Sequence, residues 1–140
     1  MTTGWTRARL ILSGLGLLVS AYLTAVHYIT AVPLACPSTG IIDCAQVLTS
    51  PQSVVLGLPL GVWGMAWFLV LGLLAARAGR AGATGSGAVL ARRVWVALGA
   101  VAVVYFIYLE LLVIGRICIW CTSVHLIVLA LFAMEASGVE

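Results

Sequence analysis

A segment of about 20 apolar residues is long enough to cross the hydrocarbon core of a bilayer. This chain holds four such segments in 140 residues: 10–32, 58–76, 94–115 and 117–134. Hydrophobic residues make up 64% of the chain and charged residues only 8%, whereas a soluble domain needs roughly a quarter charged. The expected fold is therefore an all-α integral membrane protein, a single four-transmembrane-helix bundle. Residues 33–57 form a long connection on one side, and 77–93 form a connection without periodicity on the other. The first segment exceeds the roughly 7–15 apolar residues of a signal peptide, so it is expected to stay as a span.

All the basic charge is arginine. Arg7, Arg9, Arg77, Arg80, Arg92 and Arg93 flank one side of the spans, and Arg116 alone flanks the other. The positive-inside rule then puts both termini in the cytoplasm, and 33–57 outside it, in a plasma (inner) membrane. No basic stretch interleaved with aromatics is present, so no nucleic-acid partner is expected. The partners expected instead are the lipid bilayer and whatever meets the outer face, with the chain acting as a monomer.

All four cysteines fall on or near that outer face: Cys36 and Cys44 in the long connection, Cys118 and Cys121 opening the last span. Two thiols two residues apart suit a disulfide, redox exchange or half a zinc site. The wider gap between Cys36 and Cys44 fits zinc poorly, and an oxidising compartment favours disulfides. Cys118 and Cys121 lie in a helix first turn, where the positive end of the macrodipole favours a thiolate. Arg116 reads either as an addition to that bias or as a snorkelling anchor at the membrane surface.

The outer connection is too apolar to be disordered and is expected to close over the mouth of the bundle as a lid. Asp43 followed by Gln46 has the form of a capping box, and Pro51 discourages a helix through Ser50. A short interfacial helix over 44–49 is the result, with Val47 and Leu48 turned inward. In the first span Gly16, Ser20 and Thr24 form a small-residue stripe that lets another helix come close. Trp5 and Trp95 read as interfacial anchors. Trp63 and Trp67, one turn apart near the outer end of the second span, fit either an aromatic belt or a pocket for a flat ligand.

Two exchanging cysteine pairs suggest a relay, because disulfides move by thiolate attack on sulfur. No haem, flavin or iron–sulfur signature is present to store the electrons. A lipid-soluble quinone (menaquinone, ubiquinone or a vitamin K-like molecule) meets the need for an acceptor. Two other readings remain open: a non-enzymatic membrane scaffold with structural disulfides, and a thiol conduit running in the reducing direction.

Several features together resemble the vitamin K epoxide reductase family, and within it the bacterial disulfide-generating members. They are the spaced pair Cys36 and Cys44, Ser50 after it, Gly57-Leu58-Pro59-Leu60-Gly61 entering the second span, Tyr108-Leu109-Glu110 late in the third, and Cys118-Ile119-Trp120-Cys121 opening the fourth. The resemblance implies a quinone reductase and dithiol oxidase that serves a separate thioredoxin-fold protein. Cys36 and Cys44 would be the shuttle pair, Cys44 would form a transient disulfide with Cys118, and Cys121 would face the quinone. Ser50 matches the family's loop serine or threonine; its plainer role is to end the lid helix.

Vertebrate members use an Asn on the quinone, and this chain has no Asn. They carry a Tyr four residues after the last cysteine, where this chain has His125. His125 shares a helical face with Cys121, so it stands as a quinone-contact candidate beside Trp63, Trp67 and Glu110. Packing against a neighbouring helix is the competing role for His125. For Glu110 it is a pairing with Arg116 or a bond within the bundle.

Overall fold

In a computed structural model, residues 2–80 and 86–138 are described. Four helices there are long and apolar enough to cross a membrane: Gly4–Tyr28, Leu60–Ala78, Gly87–Ile114 and Ile119–Ala136. They belong to α1 (Thr2–Tyr28), α3 (Leu60–Arg80), α4 (Ser86–Tyr108, continued by a π-helical turn Leu109–Ile114) and α5 (Ile119–Ala136). Between α1 and α3 lie the short α2 (Cys44–Leu48), a 3-10 turn Pro51–Ser53 and a two-stranded hairpin, β1 Val54–Val55 with β2 Leu58–Pro59. The protein is a multi-pass membrane helical bundle.

The helices close into a ring in which α1 packs on α3 and α5, and α4 packs on α3 and α5. Phe68, Leu71, Val96, Val103, Val128 and Leu131 fill its centre. Leu18, Val101 and Leu112 stand on the outside, as expected where the solvent is lipid. Small residues hold the α1–α3 contact close. Ser20 is buried, and the Thr24 hydroxyl donates to the Ser20 carbonyl at 2.8 Å.

Across from the stripe, a Cβ on Gly61 would sit 2.9 Å from the Ser20 carbonyl oxygen and 2.9 Å from the Thr24 amide nitrogen. Both are backbone atoms of α1, which cannot yield cheaply. Gly61→Val is expected to cost about 1–3 kcal/mol, read as a lower thermal midpoint in detergent. Gly87→Ala meets nothing within 4 Å and should leave the midpoint level or slightly higher.

The connection expected at 77–93 proves mostly helical. α3 runs to Arg80 and α4 starts at Ser86; the part of it at 81–85 lies outside the described residues. Alanine, leucine and arginine dominate both flanks, and these are strong helix formers even without a periodic apolar face. α5 also starts later than 117, because Ile117 is taken up by the lid.

At the end of the bundle where Arg9 and Arg92 lie, one carboxylate joins three helices. Glu135 near the end of α5 accepts from Arg9 Nε at 2.9 Å, from Arg92 Nε at 2.8 Å and from Arg92 Nη2 at 3.0 Å. All three residues are buried. Arg9 and Arg92, read from the sequence only as topology markers, are thus also part of the bundle's interior.

Candidate active site

The lid is built by local chemistry and then stitched to the start of α5. Asp43 caps α2 by accepting the Gln46 amide at 3.0 Å. The reciprocal half of the capping box is missing, because the Gln46 side chain turns to Arg116, whose Nε donates to Gln46 Oε1 at 3.0 Å. Arg116 Nη1 also donates to the Gly40 carbonyl at 3.3 Å.

Backbone bonds complete the seam: Ile117 N–H to the Ile41 carbonyl at 2.8 Å and Asp43 N–H to the Ile117 carbonyl at 3.1 Å. Arg116 therefore clasps the lid, which differs from both roles expected for it. It does not pair with the Glu110 carboxyl; only its backbone N–H meets the Glu110 carbonyl, at 3.0 Å.

Arg116→Ala removes two exposed hydrogen bonds worth roughly 1 kcal/mol together. Amide hydrogen exchange at Ile42 and Asp43 should rise about fivefold, with α5 unchanged. Equal protection in the variant would show that the backbone seam alone holds the lid.

This seam gathers the cysteines. Cys36 and Cys44 are joined as a disulfide, while Cys118 and Cys121 are free thiols. Cys44, Val47 and Cys118 form a buried cluster, packed around by Leu34, Cys36, Ile114, Ile119, Trp120 and Cys121. Cys44 is the first residue of α2, and Cys118 is the N-cap of α5, its sulfur accepting the Cys121 amide at 3.3 Å. The Cys121 thiol hydrogen-bonds to the same sulfur and holds the Cys118 pKa below the ordinary thiol value, against the opposing effect of burial. A lowered thiol pKa at a helix N-terminus marks a reactive sulfur.

Two aromatic residues that the sequence reading passed over hold the extended segment leading to Cys36. Tyr22 donates to the Pro33 carbonyl and accepts the Ala35 amide, each at 2.9 Å. Trp120 Nε1 donates to the Ala35 carbonyl at 2.9 Å, and the two rings meet at 4.9 Å. The position of Trp120 inside the CxxC was the available signal; Tyr22 carried none beyond its place near the outer end of α1.

Below the cysteines lies a cavity of about 490 Å³, in the range typical of sites for organic ligands. Cys121, Ser50, Trp63, Trp67, Glu110 and His125 all line it, whereas Cys36, Cys44 and Cys118 do not. The CxxC is thus split between lid and cavity. His125 is buried and stacks on Phe106 of α4, with centroids 6.4 Å apart.

Trp63 Nε1 donates to the Val55 carbonyl at 3.1 Å, pinning the hairpin to α3. Trp67 stacks on Trp95 at 6.5 Å and accepts the Trp95 indole N–H on its carbonyl at 3.1 Å. Trp95, expected as an interfacial anchor, belongs instead to the cavity wall, since its neighbour on α3 offers a ring to stack on. The Trp67 Nε1 donor is buried without a hydrogen-bond partner, which is uncommon for a buried polar group.

The Ser50 hydroxyl donates to the Val47 carbonyl at 2.7 Å, which ends α2. Ser53, which the sequence reading missed, donates to the Leu48 and Ser50 carbonyls, each at 2.7 Å. Among the described residues, no group of three or more His, Cys, Asp or Glu is placed to hold a metal ion.

Compared with known proteins, residues 7–136 match the sequence model of the vitamin K epoxide reductase family. No curated protein matches the chain.

Proposed function

Since the chain belongs to the vitamin K epoxide reductase family, and so is a membrane thiol oxidoreductase, we propose that it makes disulfides for a separate thioredoxin-fold protein and delivers the electrons to a quinone. One observation carries this reading. Cys44 and Cys118 share a single buried cluster, while Cys121 of the same CxxC lines the cavity. A relay needs both contacts: outer pair to inner pair, and inner pair to acceptor.

The sulfur chemistry follows from disulfide exchange. The partner's dithiol reduces the Cys36–Cys44 disulfide and leaves with its own disulfide formed. The Cys44 thiolate then attacks Cys118 of a Cys118–Cys121 disulfide, forming the Cys44–Cys118 bond and releasing Cys121. Cys36 next attacks Cys44, which restores the outer disulfide and leaves Cys118 as a thiolate. The arrangement described above, with the outer pair oxidised and the inner pair free, is the product of that step.

A bound quinone supplies an acceptor for two electrons and two protons, as members of this family are quinone-linked in general. The residues present suit such a molecule. The cavity wall is almost wholly apolar, with two indoles for a flat ring. Trp63, Trp67, His125 and Glu110 would hold the ring, and Ser50 with α2 would keep water out from above.

Arg7, Arg9, Arg77, Arg92 and Arg93 lie at the end opposite the cysteines. That supports cytoplasmic termini and an active face outside the cytoplasm, in the plasma membrane. The lid, held by exposed hydrogen bonds, is the part a soluble partner would meet, with the protein acting as a monomer. Purified protein, a reduced dithiol and a soluble quinone are expected to yield quinol catalytically. Quinol formation no faster than in protein-free detergent would overturn the reading.

A further inference from the structure

A carboxyl group buried inside a membrane span is costly, and such groups commonly mark proton paths. Glu110 is one, at 6% exposure within the span Gly87–Ile114. Its position depends on the π-helical turn Leu109–Ile114, closed by Gly115 in the left-handed conformation at φ 67°. Turns of this kind disturb the regular helix and are frequent at functional sites.

Glu110 lines the cavity together with Cys121, and it is the one carboxyl-bearing residue in that lining among the described residues. Arg116, its nearest arginine in sequence, is engaged with the lid. Arg9 and Arg92 bind Glu135 on the far side of the bundle. The reaction described so far uses this carboxyl only to hold the ring and gives it no proton to move.

We propose that Glu110 is the catalytic base that takes the proton from the Cys121 thiol and passes it on into the cavity. Two groups near Cys121 can take its thiol proton: the Cys118 sulfur, which already accepts the Cys121 amide at 3.3 Å, and Glu110, which lines the cavity beside it. A proton moved to Cys118 would quench the thiolate that must join the new disulfide. A proton moved to Glu110 leaves both sulfurs free to bond.

The balance is Cys118 thiolate, Cys121 thiol, quinone and one solvent proton giving the Cys118–Cys121 disulfide and quinol. The S–S bond forms, the S–H bond of Cys121 breaks, and two electrons leave for the quinone. Of its two protons, one travels from Cys121 through Glu110 and the other enters from solution. His125 shares the cavity and keeps its role as a contact for the ring.

This inference rests on the quinone-reductase reading, so its test includes measurements made without quinone. Full-length wild type, Glu110→Gln and Glu110→Asp would be compared. In Glu110→Gln, kcat for quinol formation should fall about 10²-fold or more, the scale of lost general-base catalysis, with any rise in quinone KM small beside it. In quinone-free protein, N-ethylmaleimide alkylation of Cys121 should slow about tenfold as the assisting base is lost. Reduction of the Cys36–Cys44 disulfide by dithiothreitol should proceed as in wild type. Glu110→Asp keeps the base and should recover at least about a tenth of both losses.

Wild-type kcat and Cys121 reactivity in Glu110→Gln would overturn the proposal. A raised KM with kcat unchanged would make Glu110 a quinone contact only. Loss of the outer-pair reaction as well, or failure of the Gln variant to accumulate, would assign it to packing; both results overturn the proposal. If wild type itself makes no quinol, the parent reading fails, and Cys121 alkylation still decides the role of Glu110.

Discussion

Cys121→Ser is expected to lower quinol formation by at least about 10³-fold, the scale on which removing a reacting group is felt. The outer pair should be untouched. Cys36 and Cys44 are joined on the lid, and their exchange with an external dithiol does not involve the cavity. The same variant should therefore still be reduced by dithiothreitol at the wild-type rate. Cys118→Ser should also lose quinone reduction, and in addition any species linked to Cys44, because Cys118 is the sulfur that shares the buried cluster with Cys44. Normal quinol formation by Cys121→Ser protein would show that the order assigned to the two inner sulfurs is wrong.

Glu135→Gln is expected to have the largest effect on stability. Arg9 and Arg92 are 3% and 4% exposed, and both place Nε on Glu135 Oε1. Removing one partner of a buried ion pair costs about 3–5 kcal/mol, because the charges left behind lose that carboxylate in a medium that solvates them poorly. The change should appear as a sharply lower thermal midpoint in detergent and reduced yield. Dithiol exchange at the lid should be normal in whatever protein folds, since Glu135 sits at the opposite end of the bundle. A midpoint equal to wild type would show that the triad contributes no net stability.

What the sequence made legible was local. Each span is a continuous apolar run, and its length alone sets its role. The α2 helix is written in Asp43 and Pro51, within a few residues of the backbone groups they affect. Cys121 and His125 share a face because four residues make about one helical turn, and both reach the same cavity.

What escaped was decided by partners distant in the chain. Arg9 and Glu135 are 126 positions apart, and no periodicity links them. Arg116 had two plausible local roles and took a third, since Gln46 and the Gly40 carbonyl reach it only after the lid has folded across α5. The hydrophobicity that identified 94–115 as a span gave no hint that its last turns are π-helical. That geometry sets where Glu110 points.

Trp95 misled for a related reason. An aromatic residue at a span end looks the same in sequence whether it meets lipid headgroups or another ring. Trp67 on α3 decided between them.

The handover between the two cysteine pairs is tested most directly by trapping it. Cys121→Ser protein, kept without reductant so that the Cys118 thiolate can attack Cys44 of the Cys36–Cys44 disulfide and release Cys36, is quenched with an alkylating agent, digested without reduction and mapped for disulfide-linked peptides by mass spectrometry. A peptide joining Cys44 to Cys118 is the expected species, absent when either cysteine is replaced. A Cys36–Cys118 link in its place, or no link between the pairs in protein whose wild-type form makes quinol, would contradict the relay.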